Sequence, residues 1–277
     1  MVTSLPIELI QLIDYYSRPI LVTLKNFNGC MIWNWEEQGW NGLISDLTSV
    51  VSVTAINDRI LFLLSETNNT GGYFWNIETN TLSLTSNRLN HRVGSSVVVW
   101  NNKIYLLGGC THVKYYRTIS NSCYCYDVET DKWITLPSMA EPRDDSAAVY
   151  YQDQIFVFGG YHTQYLDTCE RYDIKNQTWT WIRSMPVQRI KSKAIILGEN
   201  KIGVLGGFSS FRCSEDTVLL YDVIQNTWEL ATWRLPVKMN VSDGLDAFFI
   251  PQYHQLLVCN NNDTWIRFHD DDHWKQT

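Results

Sequence analysis

The sequence predicts an all-β fold: a propeller of six four-stranded antiparallel blades, preceded by a short N-terminal helix. Three observations predict it. An apolar run closed by two glycines occurs three times, ending at Gly108-Gly109, Gly159-Gly160 and Gly206-Gly207. A Tyr-Asp pair follows each time (Tyr126-Asp127, Tyr172-Asp173, Tyr221-Asp222), with a tryptophan six residues after each aspartate: Trp133, Trp179 and Trp228. The whole pattern returns every ~50 residues, the length of chain that one four-stranded blade consumes.

Weaker copies extend the series. Trp33-Asn34 with Trp40, Trp75-Asn76 with Leu82, and Phe268-His269 with Trp274 take the same places, giving six units from about residue 19. Composition agrees with a single packed domain over 19–277 after a helical lead-in at 1–18. The chain has 277 residues, 45% of them hydrophobic and 18% charged, which is too apolar for disorder. Its formal net charge of −7 argues against a nucleic-acid partner. No run approaches the ~18 apolar residues of a membrane span, and residues 1–14 lack the early positive charge of a secretory signal. The seven cysteines are an odd number. Cys123 and Cys125 lie two apart on one strand face, a poor geometry for a mutual disulfide. Buried free thiols in the cytoplasm or nucleus are expected, and the sequons at Asn68, Asn176, Asn240 and Asn262 are then accidental.

In order, residues 4–14 read as the helix, with Ser4 able to cap it, Pro6 in the first turn, and Ile7, Ile10 and Ile13 on one side. The first unit supplies strands at 20–25, 30–35 and 40–44, and the second at 50–56, 60–64, 73–77 and 82–84; neither retains the double glycine. Units three to five are regular. Their second strands (104–107, 155–158 and 202–205) are nearly continuous apolar runs, as strands covered on both faces should be. The glycines mark sharp turns where backbones approach closely, and each Asp of the Tyr-Asp pair sets a hairpin. The sixth unit runs through 247–250, 256–259 and 264–268 to a short strand at Trp274. Only five first strands are convincing; the sixth must come from 5–14, from outside the chain, or be absent.

Gly-Gly, Tyr-Asp and Trp at this spacing resemble the kelch repeat, and the whole is similar to the kelch domain of BTB-BACK-kelch (kelch-like) proteins. Leu5-Pro6-Ile7-Glu8-Leu9-Ile10 resembles the opening of an F-box, or equally the last helix of a BACK domain, which suits the strand that follows. The resemblance implies a protein-interaction module: the substrate-recognition domain of a cullin-type E3 ubiquitin ligase adaptor. The BTB region that contacts the cullin machinery would lie outside this chain. A cytoskeletal, actin-binding or viral kelch scaffold without ubiquitin chemistry is the alternative, and a small-molecule kelch enzyme a further one.

The resemblance also implies where a partner docks. In such propellers the cation opening each first strand and the small polar residue ahead of each third strand face the central mouth. Here the cations are Arg92, Arg143, Arg189 and Lys238, with His91 and Lys191 beside them; the small polar residues include Ser122, Thr168 and Thr217. Loops after the double glycines add Tyr115, Tyr116, Arg117, His162, Tyr165, Phe208 and Phe211. Forked guanidinium donors with hydroxyls and aromatics suit an extended peptide bearing carboxylates or phosphates. The competing reading is that the cations pair with nearby acids such as Asp144, Asp145 and Asp243. No catalytic constellation stands out, and neither a cofactor nor a metal is expected. His269-Asp270-Asp271-Asp272-His273 falls on a hairpin and reads as a solvated turn rather than a metal site.

Overall fold

In the computed structural model the described residues are seven strands between 22 and 84, then 92–113, 116–209, 213–236, 245–250, 255–259, 263–268 and 273–276, with side chains mainly from 92 onward. The helix expected at 4–14, and with it the 1–18 lead-in, lies outside them. The strands form an all-β propeller of four-stranded antiparallel blades.

The first repeat gives β1 (Val22–Lys25), β2 (Gly29–Asn34) and β3 (Gly39–Ile44). The second gives β4 (Val50–Ile56), β5 (Ile60–Ser65), β6 (Tyr73–Asn76) and β7 (Thr81–Leu84). The third contains β8 (Ser96–Trp100), β9 (Lys103–Leu107), β12 (Cys123–Asp127) and β13 (Lys132–Leu136). Between β9 and β12 the loop folds into its own two-stranded ribbon, β10 (Cys110–Val113) and β11 (Tyr116–Ile119), where sequence showed only a long loop. The fourth repeat gives β14 (Ala147–Tyr151), β15 (Gln154–Phe158), β16 (Cys169–Asp173) and β17 (Thr178–Ile182). The fifth gives β18 (Lys193–Gly198), β19 (Lys201–Leu205), β20 (Thr217–Asp222) and β21 (Thr227–Arg234). The last gives β22 (Asp246–Ile250), β23 (Gln255–Cys259), β24 (Thr264–Phe268) and β25 (Trp274–Gln276).

The expectation of six four-stranded blades is corrected. The sheet of the first repeat has three strands, and only the third to sixth repeats are described with their side-chain packing. Register places the strands of the short sheet. Trp33 pairs with Trp40 as Tyr126 pairs with Trp133, so β2 and β3 hold the third and outer places, and β1 forms the inner edge of this three-stranded sheet, beside β4. The inner strands β4, β8, β14, β18 and β22 lie side by side in chain order.

The core lies between blades rather than within them. Because side chains alternate across a strand, Cys123 and Cys125 face forward to meet Ile155, Val157 and Tyr172 of the next blade. Phe156, Phe158 and Cys169 face forward in turn to meet Ala194, Ile202, Val204 and Tyr221. The recurring tryptophans seal the outer part of each seam. Trp179, Trp228 and Trp274 are partly buried, and each indole N–H donates, at 2.8 Å, to a carbonyl of the preceding blade: Pro137, Arg183 and Arg234 respectively.

The Tyr-Asp aspartates cap their hairpins as expected: Asp127 accepts from Thr130 N at 3.0 Å, and Asp173 and Asp222 from Asn176 N and Gln225 N at 2.8 Å. In the sixth repeat the assignment moves by one residue. Arg267, not Phe268, pairs with Trp274, so Arg267-Phe268 occupies the Tyr-Asp place and the six-residue step to tryptophan is kept. Arg267 is buried and stacks on Trp233, filling the volume a tyrosine fills elsewhere.

Candidate functional site: the mouth formed by the glycine loops

The double-glycine turns, the ribbon β10–β11 and the segments entering each inner strand gather on one face. Both glycines of each pair have left-handed φ: Gly159 at 60° and Gly160 at 100°. A Cβ on Gly159 would press into the Arg189 carbonyl, and one on Gly160 into Asp144 O and Ser146. The close approach exists because Gly160 N–H donates to Arg189 O at 2.8 Å, as Gly109 N–H donates to Arg143 O at 2.7 Å.

That places the cations differently from the expectation. Arg143 is fully buried. Its Nη1 donates at 2.8 Å to both Gly159 O and Thr168 O, and its Nη2 meets Glu170 Oε1 at 3.0 Å. The main chain of Arg143 is thus held by the third blade's glycine turn while its side chain is locked into the fourth blade. Arg92 makes the same clasp more loosely, reaching Gly108 O at 3.4 Å, Ser122 O at 3.3 Å and the Tyr124 hydroxyl at 3.3 Å, with its guanidinium over the Tyr124 ring. Arg189 is also buried; it donates to Thr217 Oγ1 at 2.5 Å and lies 3.4 Å from Glu215 Oε1. Leu219 stands where the fourth blade has Glu170, so Arg189 has only the more distant Glu215 carboxylate beside its Nη1 and its Nε finds no acceptor, and burial pulls its pKa down. Arg143 and Arg189 are therefore corrected from mouth-facing donors to blade-joining staples, because each turns inward to satisfy loop oxygens.

The small polar residues belong to the same machinery. Ser122, Thr168 and Thr217 give their carbonyls to Gly108, Gly159 and Gly206 N–H at 3.1 Å each. Phe208 is likewise corrected: it is 3% exposed and bridges Ile190 and Ser214 inside its loop. Tyr115, Phe211 and Lys238 lie outside the described residues, as do residues 269–272, and Tyr116 is described only as backbone in β11. His162 and Tyr165 are half-buried in one loop, where Tyr165 stands edge-on to Tyr161 at 5.8 Å.

The lip of the mouth is a backbone chain that sequence did not disclose. Gly94, Asp145 and Lys191, each two residues after its cation, are all left-handed, with φ of 67°, 53° and 52°. Asp145 N–H donates to Gly94 O at 2.9 Å and Lys191 N–H to Asp145 O at 2.8 Å, tying three blades together in series. Lys191 is exposed. From the ribbon, Arg117 reaches across to the buried Asp144 and lies 5.8 Å from the Tyr161 ring. Burial raises the Asp145 pKa, opposed by the charges of Lys191 and Arg117. So Arg117, Tyr161, Tyr165, His162, Asp145 and Lys191 carry the chemistry on the described lip. The signal for Lys191 was its offset from Arg189; nothing local marks Arg117 as bound to Asp144.

Five of the cysteines (Cys110, Cys123, Cys125, Cys169 and Cys259) are buried thiols, and Cys213 is an exposed one. Burial pushes Cys123 and Cys169 up to about 12 and Cys125 up to about 11, so these thiols stay protonated. Among the described residues no group of three or more His, Cys, Asp or Glu is placed to hold a metal ion, and no helix is long and apolar enough to cross a membrane.

Four-stranded blades, glycine turns and inter-blade tryptophans define a kelch-type propeller. A profile of the KLHDC2/KLHL20/DRC7 Kelch-repeats domain matches residues 54–207, more than half of the chain, and the protein belongs to that family. Kelch-like protein 7 of Mus musculus is 38% identical over 91 residues, covering 32% of this chain and 15% of the relative. Kelch-like protein 25 of Xenopus tropicalis is 29% identical over 139 residues, 50% of this chain and 23% of the relative. An F-box/kelch-repeat protein of Arabidopsis thaliana is 28% identical over 181 residues, 63% of this chain and 48% of the relative. The chain thus spans less than half the length of each of these relatives.

Proposed function

We propose that this propeller is a non-catalytic recognition module that binds a segment of a partner protein at the lip formed by Gly94, Asp145 and Lys191. The observation that carries this is the convergence of three blades on one spot, where Lys191 and Arg117 flank Asp145 and Tyr161 and Tyr165 stand beside them. Fixed donors beside aromatic surface are what hot spots are made of. An acidic segment suits Lys191 and the outward part of Arg117, a smaller positive surface than four cations would have supplied. Kelch repeats occur beside a BTB domain in one relative by name, and beside an F-box in another. On that footing the module serves as the substrate-recognition part of a ubiquitin ligase adaptor, working in the reducing cytoplasm or nucleus.

The test is affinity purification of the full protein followed by mass spectrometry. Wild type should retain a partner set, with cullin-type ligase subunits in it, and Arg117→Ala with Lys191→Ala should lose the substrate while keeping the ligase subunits. Retention of every partner by that double variant would move the binding surface elsewhere. Cytoskeletal proteins in place of ligase subunits would favour a scaffold role.

A further inference from the structure

The outer edges of the blades are protected unequally. An edge strand offers a row of unpaired N–H and C=O groups to any extended chain, and charges or bulges normally blunt it. Strand β13 carries Lys132; β21 carries Glu229 and Arg234 and a register shift; β25 carries Lys275. Strand β17, Thr-Trp-Thr-Trp-Ile, carries no charge and pairs with β16 in unbroken register, and its outer edge has no partner strand among the described residues. Its residues are strong strand formers, and Trp181 is 54% exposed, although tryptophan is rarely left so open. Of the other uncharged outer strands, β3 holds two glycines beside a shifted register, and β7 has no aromatic residue.

The central Trp179-Thr180-Trp181 of the strand is a palindrome about Thr180. An antiparallel copy of itself, related by a two-fold axis at Thr180, sets Thr180 against Thr180 and Trp179 of each copy against Trp181 of the other. Both tryptophans point to the same face, so four indoles line one side of the seam, and aromatic cross-strand pairs are the favourable kind. An unrelated segment gains no such register. Two copies, each of formal net charge −7, repel at long range, and an uncharged edge is where that repulsion is least felt.

We propose that β17 is a self-association edge, at which a second copy of this chain adds its own β17 to make one eight-stranded sheet across the two-fold axis. A five-residue seam buries far less than the ~1,200 Å² of a stable interface, so the pairing is transient, with a dissociation constant on the order of 0.1–1 mM. Sedimentation equilibrium from about 10 µM to 1 mM brackets that range. Wild type should rise from monomer toward twice the monomer mass. Thr180→Glu faces Arg171 within its own sheet, which favours folding, yet sets two carboxylates against each other at the axis and should weaken association at least about tenfold. Thr180→Lys alone should do the same, and an equimolar mixture of the Glu and Lys variants should associate more than either does separately. Thermal melts of each variant confirm the fold. A wild type that stays monomeric throughout, association unchanged by Thr180→Glu, or a mixture that merely averages its components overturns the proposal.

Discussion

Replacing Arg143 with leucine should cost about 3 kcal/mol of stability, the low end of the 3–5 kcal/mol for breaking a buried charge pair. The structure supplies the reasons for choosing that end. Glu170, 1% exposed, would lose its guanidinium but keep two donors, Ala140 N at 2.7 Å and Glu141 N at 3.3 Å. Gly159 O would lose the Nη1 contact and Thr168 O would retain Gly159 N–H. The penalty is therefore dominated by one partly compensated carboxylate and one orphaned carbonyl. Urea titration measures it as a fall in midpoint at constant slope. Glu170→Gln in the same chain should recover at least 1 kcal/mol, because the stranded charge is then gone. A loss below about 1 kcal/mol for Arg143→Leu, with the Glu170 change adding its full independent cost, would show a solvent-facing cation and refute the staple.

Three further outcomes follow from the same geometry. Trp179→Ala removes a half-buried indole and its bond to Pro137 O and should cost roughly 3 kcal/mol; a change under 1 kcal/mol in denaturant would mean the seam is not sealed there. Gly159→Ala forces a side chain into left-handed backbone against Arg189 O and should cost about 1–3 kcal/mol, read as a lowered thermal midpoint; an unchanged midpoint would contradict the close approach. The Lys103 ammonium, at 2.9 Å, holds the Asp127 carboxyl down at about 2 against an ordinary 3.8. With the folded value below the unfolded one, this contribution is complete above pH ~4 and disappears as pH falls toward 2. Its size is small because both groups meet solvent; in Lys103→Met the Asp127 midpoint followed by NMR should climb toward 3.8, and no movement would assign the shift to Thr130 alone.

The repeat was legible because its punctuation is local. Gly-Gly, Tyr-Asp and Trp act through turns and short-range register, so the strand positions of the described repeats, the first included, follow from spacing. The sixth repeat misled by one residue because Arg267 replaces a tyrosine while still burying its stem against Trp233. The cations misled for a different reason. Whether an arginine faces solvent depends on what lies behind it, and the partners of Arg143 (Gly159, Thr168 and Glu170) come from another turn and strand. A glutamate inside the third strand of the fourth repeat, where its neighbours hold Tyr124 and Leu219, was the available hint of a buried counter-ion. Arg117 bonded to Asp144 is a long-range pairing that no spacing rule reaches.

The staple joins two blades by using the main chain of Arg143 in one and its side chain in the other, and amide hydrogen exchange tests this most directly. In wild type, Gly109 N–H, bonded to Arg143 O at 2.7 Å, and Gly159 N–H, bonded to Thr168 O at 3.1 Å, should both be strongly protected. In Arg143→Leu both should exchange faster, at rates raised by similar factors, because the third and fourth blades loosen together. Faster exchange confined to the fourth blade, with Gly109 as protected as before, would contradict the claim that this cation couples neighbouring blades.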